Sequence, residues 1–414
     1  MFQRLLDIFP ALRHRAFACF IMGQLISLLG QWMKRLAMSW LVFRLTSSAF
    51  LLGIVEFVSL APILFLGLAA GAWLERHDTR KALIVTQVIA MALAGLLTFI
   101  TYTGLVSYPL LVLISLILGL AGAFDMTARQ TSVSLMVTDP EAVKSAVALN
   151  SMTFNICKLV GPSIAGIVVY VWGESVCFFI ATVAYIPIIY MLIFQIRMRE
   201  RESGHERQGL LEDMAAGLSH VRETFFMRRI FQLLAPFCLL AMCYTVLFPM
   251  FSTAVLSGGS QTLGWLLAAV GAGAFVGGFY VSAAITLEAI PRYIAKTALL
   301  TTAAMMLFSF SNWLCLSLAA AFCMGFGITS TNISINTLLQ TTSTDDCRAR
   351  VLGLYVMCTA GLSPVGGLAS GALADIAGAP VTMFICAAVL LVCISFFRRD
   401  LPRIDRNLLT VLHP

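Results

Sequence analysis

The feature that most constrains this chain is a series of about twelve apolar segments, each long enough to cross a bilayer as a helix. Of its 414 residues, 60% are hydrophobic and 11% are charged, whereas soluble domains carry charge on roughly a quarter of their residues. Inside lipid, helices and closed β-barrels satisfy every backbone hydrogen bond, and the short alternating strands of a barrel are absent from the sequence. The sequence therefore predicts an all-α integral membrane protein. The predicted segments are 17–43, 49–74, 82–104, 109–136, 145–170, 176–196, 230–256, 262–286, 293–311, 313–339, 349–372 and 379–397.

The connections between these segments predict the orientation of the chain. One set, which includes both ends of the chain, holds nearly all the basic residues, among them Arg13, Arg80, Lys81 and Arg398. The opposite set contributes a single base, Arg44. Because cytoplasmic loops are enriched in Lys and Arg, both termini are expected in the cytoplasm, with the protein in a bacterial inner membrane.

A central polar stretch, residues 197–229, divides the chain into predicted six-helix bundles at 1–196 and 230–414. Apolar residues recur at helical spacing from Leu210 to Phe225, which favours an amphipathic helix on the membrane surface, with a solvated linker as the alternative. Six plus six segments predict parallel bundles with a cavity near the bilayer midplane.

The connection after the second segment reads Gly71-Ala-Trp-Leu-Glu75-Arg76-His-Asp78-Thr79-Arg80-Lys81. It resembles the signature loop of the major facilitator superfamily, with Glu75 for the usual Asp, Asp78 for Gly and Thr79 for the first Arg. The Asp-for-Gly change resembles the enterobactin-exporter and macrolide-efflux branch. Asp125-Met-Thr-Ala-Arg129-Gln130, at the end of the fourth segment, is similar to the same branch.

The fifth segment extends this resemblance through Asn150, Asn155, Lys158, Gly161-Pro162 and Gly166. Its Gly-Pro stretch matches the motif associated with antiporters that export. The resemblance implies the major facilitator fold and secondary transport by alternating access, not enzymatic activity. The gating residues that follow from the resemblance and from the loop's charges are Glu75, Arg76, Arg80, Asp125, Arg129, Gly161, Pro162 and Gly166. Alternatively, Arg76, Arg80 and Lys81 act only as topology anchors, and the small residues only let helices approach.

Ionisable residues inside the apolar segments are candidates for function, because each costs on the order of 3 kcal/mol at the bilayer centre. Lys34 and Arg35 lie at the depth of Glu56 on the next segment, so a pair with Glu56 is plausible and leaves a surplus positive charge. Asp125 can pair with Arg129 at i+4 or reach Lys158. Glu56 and Asp125 are the candidates for proton coupling. The candidate substrate-binding residues are Gln24, Gln31, Lys34, Arg35, Glu56, Asn155, Lys158, Tyr244, Trp265, Asn332 and Asn336.

The surplus of base favours export of a small anionic metabolite such as a siderophore. Multidrug or macrolide efflux, and uptake, remain alternatives. The five histidines are scattered, the cysteines form no CxxC pair, and no phosphate-binding loop is present, so the sequence predicts neither an enzyme nor a metal site. We expect no cofactor, no nucleic-acid partner, and a monomer whose partners are its substrate and the lipid bilayer.

Overall fold

The computed structural model describes residues 9–137, 139–196, 219, 221–284, 286–343 and 345–412. A short 3₁₀ turn, Pro10–Arg13, precedes the first long helix. The helices of the first half are α1 (Arg15–Thr46), α2 (Ala49–Glu75), α3 (Thr79–Tyr102), α4 (Tyr108–Met136), α5 (Pro140–Ala184) and α6 (Ile186–Phe194). Those of the second half are α7 (Phe225–Ala241), α8 (Tyr244–Met250), α9 (Ser260–Ala284), α10 (Ile290–Ser309), α11 (Leu314–Thr342), α12 (Asp345–Val356), α13 (Ser363–Ala377) and α14 (Ala379–Leu412).

Ten helical stretches among the described residues are long and apolar enough to cross a membrane. One of them, Ser145–Phe194, has 50 residues and contains two crossings. Gly173 divides it with φ 85° and ψ 172°, a conformation that glycine adopts without steric penalty. The helix α10 has 20 residues, about 30 Å of length, and completes the predicted twelve segments.

Two crossings of the second half are interrupted helices. The seventh consists of α7, α8 and a π-helical turn, Phe251–Val255, and it includes Pro236 and Pro249. The eleventh consists of α12, a π-helical turn at Met357–Leu362 and α13. A proline, which removes a backbone donor from a helix, lies beside each interruption: Pro249 just before the first π turn and Pro364 just after the second.

The described residues fall into two compact units. Unit 1 takes those within Met1–Thr46, Val58–Gly204 and Gly259–Ala268, and unit 2 takes those within Ser47–Phe57, His205–Gly258 and Ala269–Pro414. The predicted bundles at 1–196 and 230–414 stay a prediction. By their contacts, the first turns of α2 belong to unit 2 and the first turns of α9 belong to unit 1. Of the predicted amphipathic helix from Leu210 to Phe225, residues 210–218 and 220 lie outside the described residues.

In unit 1, α1 packs against α5 and α6, and α3 packs against α4 and α5. Fully buried residues at one end of these helices form a continuous core. Its members include Phe17, Phe20, Leu83, Ala128, Ala146 and Leu192. In unit 2, α10 packs on α11 and α14, and α7 packs on α13 and α14.

Acidic side chains cap two of the membrane helices. Asp78 accepts hydrogen bonds from the backbone N–H groups of Arg80 at 2.9 Å and Lys81 at 3.3 Å, so it is the N-cap of α3. Asp375 accepts from the N–H groups of Ala49 at 2.7 Å and Phe50 at 3.3 Å, and from the hydroxyl of Ser48. A carboxylate at a helix N-terminus satisfies free donors and complements the helix dipole. Asp78, a departure from the superfamily pattern, therefore has a structural explanation.

Candidate functional site

A cationic and aromatic group lies on neighbouring faces of α1 and α5 in unit 1; we call it the cationic face and define it as Trp32, Arg35, Phe154 and Lys158. The guanidinium of Arg35 lies 5.5 Å from the ring centroid of Trp32. That ring contacts Phe154 edge-on, with centroids 5.6 Å apart. Lys158 lies on α5 between Phe154 and Gly161, the residues that contact Trp32.

The cationic face is partly accessible. Arg35, Trp32 and Lys158 are half-buried, while Phe154 and the neighbouring Gln31 are exposed. Lys158 makes no hydrogen bond or ion pair with any described residue. Charged side chains within membrane segments face a bundle interior or a water-filled cavity rather than lipid. This surface can therefore accept a negatively charged group together with an apolar one.

Small residues bring α5 close enough to α1 to build this face. A Cβ atom at Gly161 would lie 2.6 Å from the Cβ of Trp32, so the two helices are in backbone-level contact there. The thiol of Cys157 donates to the Leu25 carbonyl at 3.3 Å. The amide of Gln24 donates to Asn150 at 2.6 Å, which fixes the register of the two helices. Gln24 was predicted to bind substrate, but its side chain is buried and contacts Asn150.

Lys34 points away from the cationic face. Its ammonium lies 3.2 Å from the hydroxyl of Tyr185 and 5.4 Å from the centroid of that ring. Both side chains are buried, with exposures of 7% and 2%. Lys34 therefore packs against the junction of α5 and α6, and its hydrogen-bond partner is Tyr185. The sequence had suggested either Lys34 or Arg35 as the partner of Glu56. Glu56 itself is half-buried on the part of α2 that belongs to unit 2.

A buried polar network joins three helices of unit 1. Asp125 forms an ion pair with Arg129 at 2.7 Å, so the i, i+4 pairing predicted from the sequence is confirmed. Its carboxylate also accepts from the amide of Gln87 at 2.5 Å and from the hydroxyl of Thr86 at 3.1 Å. Gln87 in turn accepts from Ser27 at 2.9 Å. Asp125 thus has three donors, and none of them is Lys158.

The signature loop is exposed between α2 and α3. Arg76 is exposed, and the ring of His77 stacks on Trp73 with centroids 3.9 Å apart. Arg80 donates from its Nε to the Leu192 carbonyl and from its Nη2 to the Ile193 carbonyl, both at 2.5 Å. Arg80 therefore caps the C-terminal end of α6. The side chain of Glu75 lies outside the described residues.

The second small-residue contact of α5 lies at Gly166. A Cβ there would lie 2.8 Å from the Cα of Gly264 and 2.9 Å from the Ser260 carbonyl oxygen. Pro162 lies within α5, and its carbonyl faces Gly264. Gly161 and Gly166 thus allow close packing with α1 and with the first turns of α9, respectively.

The remaining candidates occupy different environments. Tyr244 is buried and packs on Phe248 at 5.1 Å between ring centroids, whereas Trp265 is 36% exposed. Asn155 donates to the Ser151 carbonyl of its own helix at 2.9 Å. Asn332 and Asn336 are half-buried on α11. The buried Oδ1 of Asn332 has no partner among the described residues, so it can accept a hydrogen bond.

Sequence reasoning missed four residues that shape this region: Trp32, Gln87, Phe154 and Tyr185. A glutamine within an otherwise apolar segment was a detectable signal for Gln87. The aromatic residues gave no such signal, because phenylalanine and tryptophan are common in membrane helices. Their roles depend on how α1, α5 and α6 are rotated toward one another.

Comparisons with known proteins show the family and the fold of this chain. The family model described as transmembrane secretion effector matches residues 7–413. The chain is 24% identical over 395 residues to the staphyloferrin A transporter of Staphylococcus aureus, covering 91% of this chain and 94% of that protein. It is 27% identical over 398 residues to the multidrug efflux pump Tap of Mycobacterium tuberculosis, covering 92% of each.

A solved POT family transporter in complex with 5-aminolevulinic acid has the same fold. It superposes with a TM-score of 0.73 at 10% identity and covers 94% of this chain and 96% of that one. The predicted all-α major facilitator fold is confirmed, and the protein is a secondary transporter rather than an enzyme. The chain belongs to the transmembrane secretion effector family of the major facilitator superfamily.

Proposed function

We propose that this transporter exports a small anionic metabolite, such as a carboxylate siderophore, across the bacterial inner membrane by proton-coupled alternating access. Both termini are cytoplasmic in this proposal, as the distribution of Lys and Arg indicates. A single chain is the transporting unit. The observation on which the proposal rests is the cationic face of unit 1.

Two like charges close together within the membrane favour an anionic ligand. Arg35 and Lys158 carry the same charge on helices that meet at Trp32 and Gly161, and a carboxylate bound at this face would be attracted by both. A guanidinium binds a carboxylate through two parallel hydrogen bonds, whereas an ammonium acts as a point charge. The rings of Trp32 and Phe154 offer apolar contact for the rest of the ligand.

The named relatives support this substrate class and one alternative. The staphyloferrin A transporter of Staphylococcus aureus is named for a siderophore, and Tap of Mycobacterium tuberculosis for multidrug efflux. Exposed Met152 and Phe154 on α5 favour multidrug efflux, because flexible apolar side chains accommodate varied drugs. Cationic drugs would be repelled by Arg35 and Lys158.

The polar network around Asp125 supports a role in proton coupling. Its carboxylate is held by Arg129 on α4 and by Gln87 and Thr86 on α3, so a change in its protonation would disturb the contacts between α3 and α4. Glu56 is the second candidate carboxylate. In reconstituted vesicles, Asp125→Asn should lose transport driven by a pH gradient and keep substrate binding. If Asp125→Asn transported at the wild-type rate under the pH gradient, Asp125 would have no role in proton coupling.

Gating by the signature loop and by the small residues of α5 completes the proposal. Glu75 and Arg76 are proposed to hold the cytoplasmic side closed when the substrate site faces outward. Arg80 supports the loop through its contacts with the end of α6. Gly161, Pro162 and Gly166 let α5 move against its neighbours without steric overlap.

Ligand binding to the purified protein tests the substrate class. A citrate-based siderophore and its uncharged methyl ester should be titrated into wild type, Lys158→Gln and Lys81→Gln. Lys81 is a charge-matched control, because its side chain is 82% exposed. We expect Lys158→Gln to weaken binding of the acid about tenfold, the loss of one charged contact, with no change for the ester. Equal acid affinity in wild type and Lys158→Gln would overturn the anionic assignment.

A further inference from the structure

The last helix, α14, continues beyond the apolar core of the membrane. It runs without interruption from Ala379 to Leu412, and its 34 residues span about 50 Å, well beyond the roughly 30 Å hydrocarbon layer. The apolar sequence ends near Phe397, and four arginines follow within nine residues: Arg398, Arg399, Arg403 and Arg406.

One face of this extension is anchored to unit 2. Phe397, Ile404 and Leu408 are buried, with exposures of 4%, 0% and 2%. Asp400 pairs with Arg229 at 3.0 Å, and Asp405 pairs with Arg292 at 2.9 Å. Both acidic residues of the extension therefore lie beside the buried face and contact bases of unit 2. They hold the helix in place past Pro402.

The opposite face continues the outer surface of the membrane segment. Residues spaced by three or four positions lie on one side of a helix. Such a stripe of exposed apolar residues runs along α14 through Val381, Ile385, Val389, Val392 and Phe396. The next positions of the same stripe are Arg399, Arg403 and Arg406, and all three are exposed.

These three arginines form a basic surface at the level of the lipid headgroups. Exposed apolar residues on a membrane helix contact acyl chains, so the positions that continue the stripe reach the headgroups of the same leaflet. Arg399, Arg403 and Arg406 form no ion pair with another described residue. Clusters of basic residues just beyond a membrane helix attract anionic lipids, and a guanidinium binds phosphate through two hydrogen bonds.

We propose that Arg399, Arg403 and Arg406 bind the phosphate groups of anionic phospholipid at the end of α14. The occupant is a lipid such as phosphatidylglycerol, whose acyl chains lie along the apolar stripe from Val381 to Phe396 and whose headgroup contacts the arginines. This contact holds α14, and with it the Asp400 and Asp405 ion pairs, at a fixed depth in the membrane.

Native mass spectrometry of the purified full-length protein, titrated with phosphatidylglycerol or phosphatidylcholine, tests this proposal. The variant combines Arg399→Gln, Arg403→Gln and Arg406→Gln. Its control combines Arg13→Gln, Arg15→Gln and Lys81→Gln, three exposed bases of unit 1, and removes the same charge. One basic residue near an anionic surface contributes about a fivefold change in affinity. We expect the α14 variant to lose at least tenfold in affinity for phosphatidylglycerol and the control to stay within twofold of wild type.

Two further measurements keep the result interpretable. The charge-preserving variant Arg399→Lys, Arg403→Lys and Arg406→Lys should retain most of the binding, even if the glutamine variant proves unstable. Inorganic phosphate at millimolar concentration should not displace the lipid, because phosphate lacks the acyl chains. Wild-type affinity in the glutamine variant, an equal loss in the unit 1 control, displacement by phosphate, or loss of lipid in the lysine variant would each overturn the proposal.

Discussion

The two units use the same glycine pattern but differ in the charge that they place within the membrane. In unit 1, Gly161 packs on α1 and Gly166 on the first turns of α9. In unit 2, Gly366 packs on the Leu239 carbonyl of α7, and Gly371 packs on the Ala49 carbonyl at the start of α2. Both pairs are five residues apart.

The placement of charge differs between the units. Unit 1 contains the Asp125–Arg129 ion pair, buried Lys34 and the half-buried cations Arg35 and Lys158. In unit 2, the ion pairs Arg229–Asp400 and Arg292–Asp405 lie where the apolar sequence of α14 ends, and a contact such as the 2.8 Å hydrogen bond between Thr297 and Thr331 is neutral. Glu56 is the half-buried carboxylate that unit 2 adds on α2. The glycines allow similar close packing of helices in the two units. The charged side chains of unit 1 include those that we propose bind the substrate and couple transport to protons. Four predictions test this division, from the largest expected effect to the smallest.

The ion pair of unit 1 should have the largest effect on stability. Asp125→Ala leaves the Arg129 guanidinium, about nine-tenths buried, without its carboxylate, and breaking such a pair costs about 3–5 kcal/mol. Thermal unfolding in detergent measures the loss. Combining Asp125→Ala with Arg129→Met should restore most of the stability. If Asp125→Ala alone were as stable as wild type, the Asp125–Arg129 pair would not stabilise unit 1 as this account requires.

The shared glycines should be sensitive in both units. Gly161→Ala and Gly366→Ala each place a methyl group against a neighbouring helix, and overpacking of this kind costs about 1–3 kcal/mol. Gly366→Ala should be the more severe, because its methyl would overlap a backbone carbonyl that cannot rotate away. Gly353→Ala is the control, since no atom lies within 4 Å of its added Cβ. If Gly366→Ala and Gly353→Ala melted at the same temperature, the close-packing account would fail.

Removing a polar side chain that contacts the start of α2 should destabilise that turn more than the equivalent change at the start of α9. Asp375 caps α2 with a carboxylate, whereas Ser260 reaches the Gly166 carbonyl with a single 3.4 Å contact. Loss of an N-cap costs about 1 kcal/mol. Hydrogen–deuterium exchange should therefore quicken in the first turn of α2 in Asp375→Ala and change little in that of α9 in Ser260→Ala. Asp375→Asn, which can still accept a hydrogen bond, should lie in between. Equal quickening in both alanine variants would contradict this asymmetry.

Loss of a single neutral hydrogen bond in unit 2 should reduce the stability of the protein least. Thr331→Val removes the hydrogen bond to Thr297, and such interhelical bonds contribute about 0.6 kcal/mol in membranes. Its melting temperature should fall much less than that of Asp125→Ala. A comparable fall would show that unit 2 depends on its polar contacts as strongly as unit 1 does.

Much of the fold could be predicted because lipid imposes strict requirements on sequence. The lengths of the apolar segments predicted the membrane-spanning helices, and the turn at Gly173 lies between the fifth and sixth predicted segments. The i, i+4 spacing of Asp125 and Arg129 gave their ion pair, since one helix determines both positions. The Lys34–Tyr185 contact could not be predicted, because it depends on the rotation of α1 against the α5–α6 junction. The sequence also gives no sign that the first turns of α2 and of α9 each belong to a different unit from the rest of the helix, because the apolar pattern of each helix continues across that point.

Transport by Lys158→Glu in proteoliposomes tests the central claim most directly. Vesicles loaded with a citrate-based siderophore or with a cationic dye should be compared under the same pH gradient. If the cationic face recognises the substrate, charge reversal should reduce siderophore transport at least tenfold, while dye transport is unchanged or rises. Siderophore transport at the wild-type rate in Lys158→Glu would contradict the account.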